Sequence, residues 1–186
     1  MSPSIAPEPP CAPDVLALLE QSDAYMASLY PPESNQMLDA DALARAHVRF
    51  FVARRAAAAP ATEDRGAARP PAAPGSGMGS GTEPARGTAL GCGALVLGGD
   101  GSAEIKRLFV SEAARGCGLG RMLLRRLEAC AMQEGVHTLR LETGIHQPEA
   151  HGLYESSGYV RRGPFGIYGP DPLCVFYEKR LPQPAR

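Results

Sequence analysis

The chain has 186 residues, 44% of them hydrophobic, and a formal net charge of −1 at pH 7, values that indicate one globular domain. Its 19 Lys and Arg are balanced by 20 Asp and Glu, so the clustered basic face of a nucleic-acid-binding protein is not expected. No apolar run approaches the roughly 18 to 20 residues of a membrane span, and the segment 1–10 lacks the pattern of a secretory signal. We therefore expect a cytosolic protein without a membrane or nucleic-acid partner.

The five cysteines are widely spaced along the chain, at Cys11, Cys92, Cys117, Cys130 and Cys174. No C-x-x-C pair occurs among them, whereas zinc sites and disulfide frameworks usually show close, even-numbered spacing. An odd number of isolated cysteines predicts free thiols in a reducing compartment, and no metal site.

The N-terminal part of the chain predicts a loose segment followed by a helix. Residues 1–12 are rich in proline, and only a short strand near Ser4–Ile5 is expected within them. A helix begins at Pro13, because proline suits the first helical position and apolar residues then recur at near-helical spacing. The pair Pro31–Pro32 ends this helix.

A short second helix and a strand come next. The helix is predicted around 39–46, with Asp39 or Asp41 as its N-cap, and the strand over 48–53 carries two phenylalanines. The segment 55–86 then contains no aromatic residue, Val, Ile or Leu. Such a segment buries too little apolar surface to offset the entropy of ordering, so we expect a disordered insertion between two strands.

The remainder of the chain predicts a hairpin, a helix, a strand, a helix and a last strand. Gly98–Gly101 supplies the hairpin turn, because glycine and aspartate tolerate the positive φ of tight turns. This order of elements favours one mixed α/β (α+β) domain around a single sheet. The predicted strands cover 90–97, 103–110, 138–143 and 175–179, and the predicted helices cover 118–134 and 148–157.

A glycine-rich turn, RGCGLG at 115–120, connects a strand to the most amphipathic helix. Glycines let the backbone approach a ligand closely, and a helix N-terminus offers free N–H groups and a positive dipole end. Arg115 and Arg121 add positive charge, so the turn suits a pyrophosphate. Its glycine order matches neither the nucleotide P-loop nor the dinucleotide-binding G-x-G-x-x-G pattern.

The same turn resembles the acetyl-CoA-binding motif of the GCN5-related N-acetyltransferase family, R/Q-x-x-G-x-G/A between a strand and a long helix. Arg115, Gly118 and Gly120 carry this match, and Gly116 is also typical. A second family motif, A-x-x-L-Y-x-x-x-G-[FY], is matched by Ala150, Leu153, Tyr154, Gly158 and Tyr159. The resemblance covers about 88–181, half of the chain. The segments SLYPPESNQMLD and PFGIYGPDPL are similar to a bacterial subgroup whose acceptors are mostly unassigned.

The resemblance implies a fold, a co-substrate and a reaction. We expect an N-acetyltransferase domain over 13–181 and a tail at 182–186, with a mixed central sheet, two splayed strands and helices on both faces. The expected activity is transfer of the acetyl group of acetyl-CoA to a primary amine, by direct attack. The residues implied in acetyl-CoA binding are Leu108, Phe109, Val110, Arg115, Gly116, Cys117, Gly118, Leu119, Gly120, Arg121 and Gln147.

Tyr154 and Glu104 are the predicted catalytic residues. A phenol of pKa about 10 stays protonated at neutral pH and can donate a proton to the departing thiolate. Its alternative role is packing at the helix–sheet interface. Glu104 is the first candidate for the base that deprotonates the amine and Glu142 the second, although either carboxylate could be an exposed strand residue paired with a neighbouring cation.

The acceptor remains open at this point. Acidic and polar residues in the flanking segments would suit a cationic amine of a small molecule. A protein N-terminus or lysine is the alternative acceptor, and a non-catalytic acetyl-CoA-binding module or an unrelated phosphate-binding protein is the alternative class. A homodimer is also left open. The residues expected to border the acceptor are Glu33, Asn35, Glu142, Tyr168 and Asp171.

Overall fold

A seven-stranded mixed sheet runs through the structure, a computed structural model that describes residues 3–34, 37–55 and 87–182. The strands are β1 Ser4–Pro7, β2 Val48–Arg54, β3 Ala89–Leu97, β4 Ser102–Val110, β5 Thr138–Gly144, β6 Val160–Arg162 and β7 Cys174–Arg180. The helices are α1 Pro13–Leu29, α2 Ala40–Leu43, α3 Leu119–Gln133 and α4 Pro148–Ser156, with 3-10 turns at Pro32–Ser34 and Glu112–Ala114.

The strand order is β1-β2-β3-β4-β5-β7-β6, and the β4–β5 pair is parallel while the other neighbouring pairs are antiparallel. This architecture confirms the predicted fold class. Most of the predicted insertion 55–86 and of the tail 182–186 lies outside the described residues. Within the described residues, no helix is both long and apolar enough to cross a membrane.

Local sequence signals explain where the helices begin and end. Asp39 is the N-cap of α2, since its carboxylate accepts a hydrogen bond of 2.8 Å from the Ala42 N–H; Asp41 lies inside the helix. Gly118 precedes α3 with a φ of 80°, and Gly135 follows it with a φ of 74°. Only glycine adopts this left-handed backbone without cost, so the two glycines fix both ends of α3.

Three elements differ clearly from the prediction, whereas most other boundaries agree within about one residue. The segment 1–12, expected to be loose, contains β1, which pairs along its whole length with β2 and is longer than the predicted strand near Ser4–Ile5. Helix α2 has four residues and is shorter than the predicted 39–46. Strand β6 was not predicted, because its sequence, VRR, shows no apolar alternation and pairs only with β7 at the edge of the sheet.

The sheet buries a separate apolar cluster on each face. On one face, Phe50, Val52 and Cys92 pack against α1 and α2. On the other face, Phe51 and Leu95 pack against α3 and α4. Successive residues of β2 thus point to opposite sides, as expected of a strand buried on both faces. Helices therefore cover both faces, as predicted.

Strands β4 and β5 separate at one end. Their pairing runs from Ser102 opposite Thr138 to Ile105 opposite Leu141 and then stops, although β4 continues to Val110 and β5 continues to Gly144. The backbone groups of β4 that face β5 beyond Ile105 consequently have no strand partner. A gap lined by these backbone groups opens there, which confirms the predicted splay.

A bulge in β4 lies beside this gap. Ala94 pairs with Lys106 and Cys92 pairs with Phe109, so two residues of β4, Arg107 and Leu108, stand opposite the single residue between them on β3. Arg107 has a φ of 56°, an uncommon value for a non-glycine residue. The bulge bends the last part of β4 away from β5 and so contributes to the separation of the two strands.

Candidate active site

A groove of about 380 Å³ follows the gap from the end of β4 to the N-terminal ends of α3 and α4. Its floor is the separated part of β4, and its sides are the glycine-rich turn and α4. The lining residues are Tyr25, Leu108, Phe109, Val110, Ala114, Arg115, Gly116, Gly118, Leu119, Gly120, Arg121, Gln147, Glu149, Ala150, Leu153 and Tyr154.

The glycine-rich turn gives this groove the features of an anion site. A Cβ added at Gly116 or Gly118 would meet no atom within 4 Å, and both residues have positive φ, so the backbone conformation rather than lack of space requires glycine. Gly120 lies in α3, where a Cβ would contact Leu153 at 3.5 Å. The first turn of α3, whose N–H groups have no acceptor within the helix, lines the groove beside Arg115 and Arg121.

Arg115 joins the turn to α1 across the groove. Its guanidinium carbon lies 4.8 Å from the ring centroid of Tyr25, and its Nε donates to the carbonyl oxygen of Val110 at 3.3 Å. Tyr25 lies on α1, is half-buried and lines the groove. Helical periodicity alone does not distinguish a core aromatic residue from one at the rim of a site, so this residue was missed.

A second, smaller cavity of about 100 Å³ continues from the groove on the α1 side of the sheet. Tyr25, Leu108, Phe109, Gln147, Ala150 and Tyr154 line both spaces. Of these two spaces, the smaller one alone is lined by Glu104, Lys106 and Glu142. Two compartments that meet at Tyr154 suit a reaction between two substrates, one in the groove and one in the cavity.

Tyr154 lies on α4 at this junction and is 6% exposed. Burial, together with the nearby Glu142 and Tyr177, raises the pKa of its phenol well above the ordinary value. Its ring packs 5.8 Å from those of Tyr159 and Tyr177. The phenol is therefore held in one position and in its protonated form at neutral pH, as a proton donor requires.

Glu104 is part of a tight polar contact in the cavity. One of its carboxylate oxygens accepts a hydrogen bond from the Tyr168 hydroxyl and another, of 3.3 Å, from Lys106 Nζ. Lys106 Nζ also donates to the Tyr168 hydroxyl at 2.5 Å. These contacts connect Glu104 and Lys106 of β4 to Tyr168 in the loop before β7. The Glu104 carboxylate is therefore paired with a cation, Lys106.

Glu142 lies on the facing strand in a less hydrated position. Burial raises the pKa of its carboxyl, against the opposing effects of Cys174 and Lys106. The Cys174 thiol lies in hydrogen-bonding contact with Glu142 and Asp171, and burial beside these carboxyls raises the pKa of the thiol to about 12. A further cavity of about 100 Å³, lined by Glu142, Tyr168, Asp171 and Cys174 among others, continues the acceptor side.

The structure brings most of the predicted site residues together. All the predicted acetyl-CoA-binding residues except Cys117 line the groove; the Cys117 thiol turns back to the carbonyl oxygen of Ala114 at 2.9 Å. Glu33 lines none of the three spaces, whereas the neighbouring Ser34 lines two of them. Asn35 lies outside the described residues. The other residues that the sequence did not single out include Ser22, Met26, Met37, Lys106, Arg107, Thr143 and Phe176.

This fold and site define an acyltransferase of the acetyl-CoA-dependent type, and comparison with known proteins identifies the family. The model of the acetyltransferase (GNAT) family matches residues 27–159. The chain belongs to this family and is an acetyl-CoA-dependent N-acetyltransferase.

Individual relatives agree with this assignment. The chain is 40% identical over 179 residues to the IAA acetyltransferase of Azospirillum brasilense, with 96% of this chain and 97% of the relative covered. A crystal structure from Klebsiella pneumoniae, of a candidate acyl-CoA N-acyltransferase, is similar with a TM-score of 0.68 and 35% identity, covering 96% of this chain and 97% of that one.

A third comparison supports the fold alone. The PaiA N-acetyltransferase of Thermoplasma acidophilum, in complex with coenzyme A, has a TM-score of 0.62 and 15% identity, covering 97% of this chain and all of that one (100%).

Proposed function

We propose that this enzyme acetylates a primary amine of a small molecule, with Tyr154 as the proton donor to the coenzyme A thiolate. The observation that supports the acceptor class most directly is the size of the acceptor side, two adjoining cavities of about 100 Å³ each. A peptide substrate would need a longer groove for its backbone. The relative in A. brasilense has a name, IAA acetyltransferase, that points to a small-molecule acceptor for that protein.

The proposed reaction is a direct transfer. The neutral amine nitrogen attacks the thioester carbonyl carbon, and the new C–N bond forms as the C–S bond breaks. The acylated nitrogen releases its extra proton to solvent, the thiolate takes a proton from Tyr154, and the Tyr154 phenolate regains a proton from solvent. Unpaired backbone N–H groups of β4 near Leu108–Val110 would stabilise the oxyanion that develops. No enzyme nucleophile is needed, which agrees with the position of Cys117 outside the groove lining.

The amine must also lose a proton. An amine of pKa about 10.4 is neutral in only about one molecule in 2,500 at pH 7, so a nearby base would accelerate the reaction. Glu104, ranked first from the sequence, already accepts hydrogen bonds from Tyr168 and Lys106. Glu142 is less hydrated and its pKa is raised, which suits a base that works near neutral pH. We therefore propose Glu142 as the base and Glu104 as a residue that binds the cationic acceptor.

The test is acetyl-CoA-dependent thiol release against amino acids, polyamines, aminoglycosides and short peptides. Saturable release with one class of small amine is expected. Tyr154→Phe should lower kcat by roughly 10²- to 10⁴-fold and leave the dissociation constant of acetyl-CoA nearly unchanged. Release with peptides alone would overturn the small-molecule proposal, and normal kcat in the Phe variant would exclude Tyr154 as the donor.

Tyr159→Phe is the matched control for Tyr154→Phe. The Tyr159 hydroxyl is buried near Tyr154 and has no hydrogen-bond partner of ordinary geometry among the described residues. Removing it deletes the same atom from the same aromatic cluster without touching the groove. Equal loss of kcat in both variants would mean that the cluster, rather than the Tyr154 proton, is what the reaction needs.

Saturable acetyl-CoA binding without thiol release for any amine would instead favour a cofactor-binding role.

A further inference from the structure

The turn between β5 and α4 carries Gln147 to the junction of the groove and the acceptor cavity. Its side-chain oxygen accepts hydrogen bonds from the Gly144 N–H at 3.1 Å and the Thr143 hydroxyl at 3.0 Å. A backbone N–H can only donate, so the amide oxygen must face the turn, and the amide nitrogen must lie on the other side. That nitrogen donates to no acceptor among the described residues.

Tyr30 holds the same turn from its outer side. It is the C-cap residue of α1 and is 5% exposed. Its hydroxyl accepts a hydrogen bond of 2.8 Å from the His146 N–H, and its ring stacks on the His146 ring at 5.7 Å with an interplanar angle of 17°. The turn is thus fixed from within by Gln147 and from outside by a residue more than 100 positions earlier in the chain.

Gly144 and Tyr30 fit each other closely. A Cβ added at Gly144 would lie 2.1 Å from both Cζ and the hydroxyl oxygen of Tyr30, which is far inside van der Waals contact. The φ of Gly144 lies outside the positive range that favours glycine. Glycine is required here because the Tyr30 ring occupies the space, not because of the backbone conformation.

We propose that Tyr30 is a positioning residue for acetyl transfer. It lines neither the groove nor the acceptor cavities, and it acts by holding the 144–147 turn so that the Gln147 amide N–H groups face the junction. Amide N–H groups donate hydrogen bonds to carbonyl oxygens. Acetyl-CoA carries such oxygens and would bring them into the groove. The inference concerns acetyl-CoA alone, so it does not depend on which amine is the acceptor.

The first measurement is the dissociation constant of acetyl-CoA for Tyr30→Phe, by calorimetry without any amine. Loss of one hydrogen bond to the turn should weaken binding by about 2- to 10-fold. Gly144→Ala should weaken it at least as much, because the ring or the turn must move. Unchanged dissociation constants in both variants would overturn the proposal.

A double-mutant cycle with Gln147→Glu separates positioning from general destabilisation. Glutamate keeps the oxygen that binds the Gly144 N–H and lacks the amide donors. If Tyr30 acts through those donors, Tyr30→Phe should have no further effect on acetyl-CoA binding in the Gln147→Glu background. The same fold-loss in both backgrounds would show that Tyr30 acts by another route and would refute the assignment.

Discussion

Glu142 is a carboxyl group that the fold holds in a poorly hydrated position, on the part of β5 that has separated from β4. Burial raises its pKa, so the folded protein binds this proton more tightly than the unfolded chain does. Between the ordinary carboxyl pKa and the raised one, the unfolded state therefore carries fewer protons. The contribution of Glu142 to the free energy of unfolding therefore falls as the pH rises through that window, the reverse of an ordinary ion-paired carboxylate.

The Glu142→Gln substitution tests the direction of this pH dependence directly. Glutamine cannot ionise, so the melting temperature of the variant should rise relative to that of the parent as the pH increases above the ordinary carboxyl pKa. Scanning calorimetry at several pH values measures it. Glu20→Gln, on the exposed side of α1, is the matched control and should follow the parent. A Glu142→Gln variant with the parent's pH dependence would contradict the prediction.

The sequence predicted several of these single residues and missed others for one physical reason. Tyr154 and Arg115 belong to motifs in which neighbours along the chain define the role. Tyr25 and Tyr30 acquire their roles only through contacts with Arg115 and His146, which lie far away along the chain. Periodicity along a helix reports which side is apolar and carries no information about such partners.

At the scale of the secondary-structure elements, the end of β4 depends on a close approach by β3. A Cβ added at Gly91 would lie 2.7 Å from the carbonyl oxygen of Phe109 and 3.1 Å from Leu123 of α3. Neither the β4 backbone at Phe109 nor the buried Leu123 side chain can move away easily. Glycine at this position keeps Phe109 and Val110 in the place where they form the floor of the groove.

Gly91→Ala should therefore destabilise the protein by about 1 to 3 kcal/mol, the usual cost of overpacking, and should also weaken acetyl-CoA binding. Urea unfolding and calorimetry measure the two effects. Gly99→Ala in the β3–β4 turn is the matched control, since a Cβ there meets nothing within 4 Å; it should stay within about 0.5 kcal/mol of the parent. Equal effects of the two substitutions would mean that the contact at Gly91 is unimportant.

The elements themselves were largely predictable because their signals are local. Caps, turn glycines and the apolar stripe of α3 lie within a few residues of the boundaries that they determine. Strand β1 was only partly predicted and β6 not at all. Both lie at the edges of the sheet, where pairing with a distant strand rather than sequence pattern makes them strands. The bulge at Arg107 likewise follows from the register of two strands.

At the scale of the whole molecule, ligand binding and folding should be coupled. A ligand that binds only the folded state adds about 2.7 kcal/mol to the free energy of unfolding at 100 times its dissociation constant. Acetyl-CoA should therefore raise the melting temperature, in Tyr154→Phe as in the parent. Arg115→Met should reduce this rise, because a charged contact in the groove is lost. Arg125→Met, exposed on α3 away from the groove, should not.

The separation of β4 and β5 has a consequence for local opening of the sheet. In the part of the chain that the structure describes, four residue pairs, Ser102–Ile105 with Thr138–Leu141, join the first four strands of the sheet to the last three. The groove is lined from one side by β4 and α3 and from the other by α4. Acetyl-CoA bound in the groove would therefore contact both parts of the sheet. Amide hydrogens of β5 should exchange with solvent more slowly once acetyl-CoA is bound, while those of β2 and β3, paired along most of their length, should change little.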